Sequence, residues 1–338
     1  MNKKIYRLFI ILFSVILIFI ILQNISEASH KQKSCVIQND AREICSHNNY
    51  IYYIVDENDF INIMKFDIDK KETETIYRHK TDEDVDIVEL QAIDDYLIWA
   101  EHSIDRNWKI VKYNLTKNEK SVIRTYGQSN ESFIPACLSV NNNFLSWYES
   151  YNNKNELDEI LVIYNIRTNE IIKKNAYLFG NPYLRAYIRN DYISYITKEE
   201  DSYYINICNL ITGDIEKIDC ISKVAKIMSN GKFIVWMDDY EYRNIYIYDS
   251  QNKSYNKIEG SLNLFTFMLI DNKVYISYSK DDDGFANIYS LDLLTNIRKN
   301  LTENTNEKIY YYLSKLNIDN KLLYEKNEDK KINIILED

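Results

Sequence analysis

Glycine and proline are scarce: six of the one and two of the other serve a chain of 338 residues. Turns must therefore be made by Asn and Asp, which crowd the apparent turns, tolerate left-handed backbone and cap their own bends. Histidine is scarce as well, and His30, His47, His79 and His102 stand singly, at no spacing that suits zinc or haem. The five cysteines (Cys35, Cys45, Cys137, Cys208, Cys220) are odd in number and lack a close-spaced metal pattern, so buried free thiols are expected. A tight turn at Thr212-Gly213 would set Lys217, not Cys220, opposite Cys208, which argues against a disulfide there. There is no G-x-S-x-G elbow, P-loop, dinucleotide fingerprint or run of sialidase-like turns. No cofactor is expected on these grounds.

What is present is strand material. Hydrophobic residues make up 46% of the chain, which marks it as globular, and the 30 tyrosines with abundant Ile favour pleated, half-buried strands. The N-terminus differs from the rest. Lys3, Lys4 and Arg7 precede an apolar run from Leu8 to Leu22, broken only by Ser14, and this reads as an export signal over residues 1–28. As helix the run spans roughly 22 Å against a hydrocarbon core of about 30 Å, which favours cleavage near Ser26-Glu27-Ala28. Flanking Tyr6 and Ile25 would extend it to a retained membrane anchor, so both fates stay open. The expected location is extracytoplasmic, anchored or secreted.

Two landmarks recur along the remainder. An acid or amide closes one strand of each unit, at Asp67, Asn114, Asn165, Asn209, Asp249, Asp292 and Asp338, with intervals of 40 to 51 residues. An aromatic sits in the strand before it, at Tyr53, Trp99, Trp147, Tyr195, Trp236, Tyr278 and Tyr324, with intervals of 41 to 48. Weaker strands flank each such hairpin, as at 87–94, 136–142 and 223–230 before it and 74–79 and 298–303 after it. Four short strands per unit of about 45 residues is the pattern of a propeller blade. The expected fold is an all-β propeller over 34–338, with seven blades and six or eight as alternatives. The seventh unit ends without an outer strand, and a spare one at 34–39 is expected to close the ring by pairing with 331–337.

Residues 275–303 carry a more specific pattern, in which Ser279, Asp283, Gly284, Ile288, Tyr289, Asp292, Leu301 and Thr302 stand in sequence. This stretch resembles the repeat of TolB-type, WD-repeat-like propellers. The resemblance implies extracytoplasmic binding and scaffolding, usually on six blades, and supplies no catalytic residues.

The loops joining the second and third strands of every unit should emerge on one face of the disc. Those at 56–59, 101–107, 149–158, 198–201, 238–243, 280–283 and 326–330 total a formal charge of −12, more than the −10 of the whole chain. Such a face repels nucleic acid and attracts cations. Asp238, Asp239, Glu199, Glu200, Asp281 and Asp282 are its candidate binding residues. Asp281 and Asp283, on the Asp281-Asp282-Asp283-Gly284 turn, are candidate Ca²⁺ ligands. The reading favoured by the missing motifs is a monomeric, non-catalytic binding or scaffold module of the cell envelope, with a protein or a cationic envelope component as partner. The alternative is a propeller-type hydrolase or lyase acting on envelope polysaccharide.

Overall fold

The structure, a computed structural model, describes residues 33–37, 41–81, 85–105, 107–127, 136–141, 143–153, 156–179, 181, 184–220, 223–238, 243–260, 264–279, 286–302, 309–313, 322–328 and 331–337. The expected export signal or anchor lies outside them. Among the described residues no helix is long and apolar enough to cross a membrane.

After β1 (Lys33–Ile37), the strands β2 (Arg42–His47), β3 (Tyr50–Glu57), β4 (Phe60–Asp67) and β5 (Glu72–Lys80) pair in order as an antiparallel sheet. The same order is repeated by β6 (Val85–Ile93), β7 (Tyr96–Ser103), β8 (Trp108–Asn114) and β9 (Glu119–Tyr126). It recurs in β10 (Ser139–Val140), β11 (Phe144–Asn153), β12 (Glu156–Asn165) and β13 (Ile171–Ala176), and in β14 (Ile188–Arg189), β15 (Tyr192–Glu199), β16 (Ser202–Asn209) and β17 (Ile215–Cys220). A fifth sheet holds β18 (Val224–Ser229), β19 (Phe233–Asp238), β20 (Ile245–Asp249) and β21 (Ser254–Ile258). A sixth holds β22 (Leu264–Ile270), β23 (Lys273–Ser279), β24 (Ala286–Asp292) and β25 (Arg298–Asn300). The last sheet runs β26 (Ile309–Leu313), β27 (Leu322–Glu328), β28 (Lys331–Glu337) and then β1, paired from Lys33 opposite Leu336 to Ile37 opposite Ile332. The two ends of the described chain thus share one of seven four-stranded sheets.

Sheets pack face to face in cyclic order. Ile37 of β1 packs with Ile44, Ile51 and Phe66 of the first sheet, joining last to first. One cluster joins the first sheet to the second through Ile54, Ile63, Trp99 and Val111, and another joins the second to the third through Ala100, Trp108, Leu145 and Trp147. Two larger clusters carry the core through the third, fourth and fifth sheets and on through the sixth to Leu313. Burial on both faces explains why a middle strand such as β19 reads Phe-Ile-Val-Trp-Met without alternation. All four tryptophans are buried, each worth about 5 kcal/mol of gross burial.

The recurring acid or amide is a turn device. Oδ1 of Asp67, Asn114, Asn165, Asn209, Asp249 and Asp292 accepts the backbone N–H groups two and three residues later. Four residues on, the backbone turns left-handed, at Lys71, Asn118, Asn169, Gly213, Lys253 and Asn296. One of these six is glycine, so the Asx bonds do the work that glycine does elsewhere. The longer turn at Asn209 also corrects the expected register: Cys208 faces Ile215 rather than Lys217, and Cys220 faces Tyr203. Cys45, Cys137, Cys208 and Cys220 are buried free thiols. In the sixth unit Tyr278 stands opposite Leu264, two residues beyond the place Trp236 holds opposite Ile227, and Ile276 fills that place.

Candidate functional site: the inner rim

One equivalent position per sheet lies toward a common centre, on the first strand in β2, β6, β18, β22 and β26 and just before it in the sheets that begin with β10 and β14. It is the residue just before a buried apolar side chain: Ile44, Leu90, Leu138, Ala186, Ile227, Phe267 and Leu313. The occupants are Glu43, Glu89, Cys137, Arg185, Lys226, Thr266 and Tyr312. Their contacts show the convergence. The Glu89 N–H donates to Glu43 Oε2 at 3.0 Å, across the first two sheets. Arg185 Nη2, from the fourth sheet, lies 2.7 Å from Glu89 Oε1 and 2.5 Å from Oε2 in the second, a reach past the third that only the centre of the ring allows. Lys226 Nζ donates to Thr266 Oγ1 at 3.0 Å, across the fifth and sixth. Glu43 and Glu89 sit in strand bulges with φ of +51° and +60°, a left-handed conformation that costs a non-glycine residue about 1–2 kcal/mol.

Charge is divided around this rim, with acids on the first two sheets and cations on the fourth and fifth. Burial works against the Arg185 guanidinium, but Glu89 together with Tyr187, Cys137 and Glu43 outweighs it and holds the group above its ordinary range. Burial pushes Arg189 down to about 10, opposed by Tyr187 and Asp271. Lys226 is pushed down by burial and by the guanidinium groups of Arg185 and Arg189, with Tyr187 opposing. The Tyr187 ring stands between two of these cations, 5.6 Å from Arg185 and 5.1 Å from Lys226.

On the acidic side a cleft of about 750 Å³ opens between the first two sheets, lined by Arg42, Glu43, Asp56, Asp86, Val88 and His102 among others. Arg42 bonds Asp56 (3.0 Å) and Asp86 (2.7 Å), which together outweigh its burial and keep it above its ordinary range. Burial pushes the His102 imidazole down, with Asp86 and Glu43 opposing. Glu43 thus connects the cleft to the Glu89–Arg185 pair and the cations beyond.

The residues expected to form the acidic face fall differently. Asp238 is buried, not surface: its carboxylate accepts from the Asn244 backbone N–H (2.8 Å), Asn244 Nδ2 (3.0 Å) and Tyr246 Oη (3.3 Å). Glu101 and Glu149, whose charges also counted toward that face, are buried beside Trp99 and Trp147 and paired with Lys120 and Arg124. An acid two residues after a buried aromatic on a middle strand points inward, which the charge count along the chain does not register. Glu199 and Glu200 are exposed, Glu199 pairing with Lys217 at 2.5 Å. Asp239, Asp281, Asp282 and the candidate Ca²⁺ ligand Asp283 lie outside the described residues. Among those described, no three of His, Cys, Asp and Glu gather as metal ligands. The inner-rim residues were missed because the position changes residue type in almost every unit. One signal was available: Glu43, Glu89, Cys137, Arg185 and Lys226 each lie ten residues before the landmark aromatic.

No protein-family model matches the sequence, and no curated protein matches it. Solved structures do match, and they place the fold among β-propellers. The β-propeller domain of the trilobed protease from Pyrococcus furiosus is 13% identical, with 88% of this chain and 94% of that one covered at a TM-score of 0.60. The acylaminoacyl peptidase of Pyrococcus horikoshii is 13% identical, with 86% and 50% covered at 0.56. An oligogalacturonate lyase solved in complex with manganese is 11% identical, with 91% and 97% covered at 0.54. The chain spans about half the length of the acylaminoacyl peptidase. These neighbours correct the expectation of a non-catalytic binding or scaffold module, and with it the expectation that the chain is no enzyme. They are propellers of peptidases and of a lyase, so missing nucleophile and nucleotide motifs do not separate a binder from an enzyme on this fold.

Proposed function

We propose that the chain is a propeller of the hydrolase or lyase type, with its chemistry on the inner rim and an envelope polysaccharide as substrate. The observation that carries this reading is the convergence, on equivalent positions, of a carboxylate pair with a guanidinium and a lysine pushed toward its neutral form. In this reading the Lys226 amine, pushed by burial toward its neutral form, takes up a proton from the substrate. The ammonium so formed returns it to the leaving oxygen, while Glu89 holds Arg185 in place. Proton removal and return of this kind is what eliminative cleavage of a glycosidic bond requires. The lyase supports the sugar substrate, because it matches this chain over nearly the whole length of both. Export, read from the run at Leu8–Leu22, would put the enzyme outside the cytoplasmic membrane, and the TolB-like pattern of 275–303 belongs to the architecture of its repeat.

The test is turnover by the purified full-length chain on acidic polysaccharides, neutral polysaccharides and peptides, following new reducing ends, unsaturated sugar products and new amino termini. Cleavage of a polysaccharide is expected, reduced about a hundredfold or more in Lys226→Met and Glu89→Gln. Cleavage confined to peptides, or variants as active as the parent, would overturn the proposal.

A further inference from the structure

We infer that Arg185, Arg189, Lys226 and Tyr187 form a seat for an oxyanion, a carboxylate or phosphate group carried by the substrate. The inference rests on the reading of the inner rim as the place where substrate acts, and adds the chemical class of what is bound there.

Three cations from the fourth and fifth sheets act on one tyrosine, and they are unevenly balanced. Arg185 spends Nη2 on Glu89, while its Nη1 has no hydrogen-bond partner among the described residues although the side chain is only 8% exposed. A buried guanidinium nitrogen left in that state is costly, and a guanidinium meets carboxylate and phosphate oxygens in a planar, two-pronged fashion. Lys226 donates to a neutral acceptor, Thr266 Oγ1, and the groups that bear on it most are Tyr187, Arg185 and Arg189 rather than a carboxylate. Arg189 is buried, with Asp271 as the acid that bears on it. An anion beside Arg185 Nη1 and Lys226 would satisfy the open donor and relieve the repulsion among the three cations. A neutral sugar does neither. The acids at Glu43 and Glu89 flank the seat on one side only, so a ligand carrying one anionic group would be oriented with that group toward the fourth and fifth sheets.

Calorimetric titration of the full-length chain with inorganic phosphate, glucuronate and glucose tests the seat. Phosphate and glucuronate are expected to bind, more weakly as salt rises, and glucose not to bind. Tighter glucuronate would assign the group to a sugar acid, and tighter phosphate to a phosphorylated polymer. Lys226→Met keeps the Glu89–Arg185 pair and should weaken anion binding at least about tenfold. Arg185→Met should do the same where its melting curve matches the parent, and Lys226→Met decides the matter otherwise. A folded parent that binds neither anion, or a Lys226→Met variant that binds as the parent does, would sink the inference. The two readings separate: anion binding without any turnover leaves the seat and removes the catalytic reading, whereas cleavage of neutral polymers without anion binding does the reverse.

Discussion

A carboxylate two residues after a buried tryptophan has different partners in different sheets, and the difference sets what each tryptophan contributes. Trp147 Nε1 donates to Glu149 Oε1 at 2.9 Å, and that buried carboxylate is held further by Arg124 Nε at 2.7 Å and Nη2 at 2.9 Å. In the fifth sheet Tyr246 and Asn244 take the corresponding Asp238, and Trp236 Nε1 has no partner among the described residues. Trp236 instead stacks on Tyr246, with ring centroids 5.3 Å apart. Both tryptophans fill similar space, so Trp→Phe leaves a similar void at either site. Trp147→Phe also removes a donor from a buried charge, and is expected to cost about 1–2 kcal/mol more than Trp236→Phe. Paired thermal melts check this, with a midpoint a few degrees lower for the Trp147 variant. Equal midpoints would mean that the cations beside it, Arg124 and Lys173, satisfy Glu149 without the indole.

At the scale of the element, the hairpin between the third and fourth strands of the first six sheets is one device built from different residues. An Asx side chain closes the turn, and a residue at positive φ follows four places later, φ being +59° at Lys71, +52° at Lys253 and +79° at Gly213. Non-glycine residues there carry a strain of about 1–2 kcal/mol, which glycine avoids at some cost in unfolded-state entropy. Lys71→Gly and Lys253→Gly should therefore stabilise slightly, by up to about 1 kcal/mol, while Gly213→Ala should destabilise by about the same amount although its Cβ would meet open space. Denaturant melts of the three variants measure the signs. A Gly213→Ala variant as stable as the parent would show that the Asn209 turn relaxes to another backbone. Other Asx residues, in the turns between first and second strands, tie neighbouring sheets together: Oδ1 of Asn141 and of Asn230 accepts from the backbone N–H three residues on, and Nδ2 donates to the backbone carbonyl of Asn190 and Asp271 on the next sheet. Amide rather than acid at these two places follows from the need for a donor.

For the molecule as a whole, the decisive contact is the one between its ends. β1 supplies the outer strand of the last sheet, and Ile37 carries the core across to the first. Removing residues 33–37 would leave the β28 edge unpaired and open the seam between last and first sheets. The truncated protein is expected to melt several degrees lower or to aggregate, and scattering during a thermal ramp distinguishes the two. An unchanged curve would mean that the seam is held without β1. Charge also changes meaning at this scale. Part of the acidity assigned to one face is consumed inside, at Glu101, Glu149 and Asp238, and part is tied to Arg42 and Lys217.

The sequence by itself determined the strand pattern, its grouping in fours and the place of the six Asx turns from Asp67 to Asp292, because these depend on contacts within about 45 residues that repeat with each unit. Hydrophobic runs, an aromatic and a closing acid or amide report such local contacts directly. It also carried the spare strand at the beginning and the missing one at the end, from which the pairing of β1 with β28 follows. Only the tertiary structure decided which carboxylates face inward and which side chains meet at the centre. Glu43, Glu89, Arg185 and Lys226 come from four different sheets, with up to 183 residues between them. Their meeting depends on how the ring closes, and a repeat preserves the position while leaving the residue type free to change.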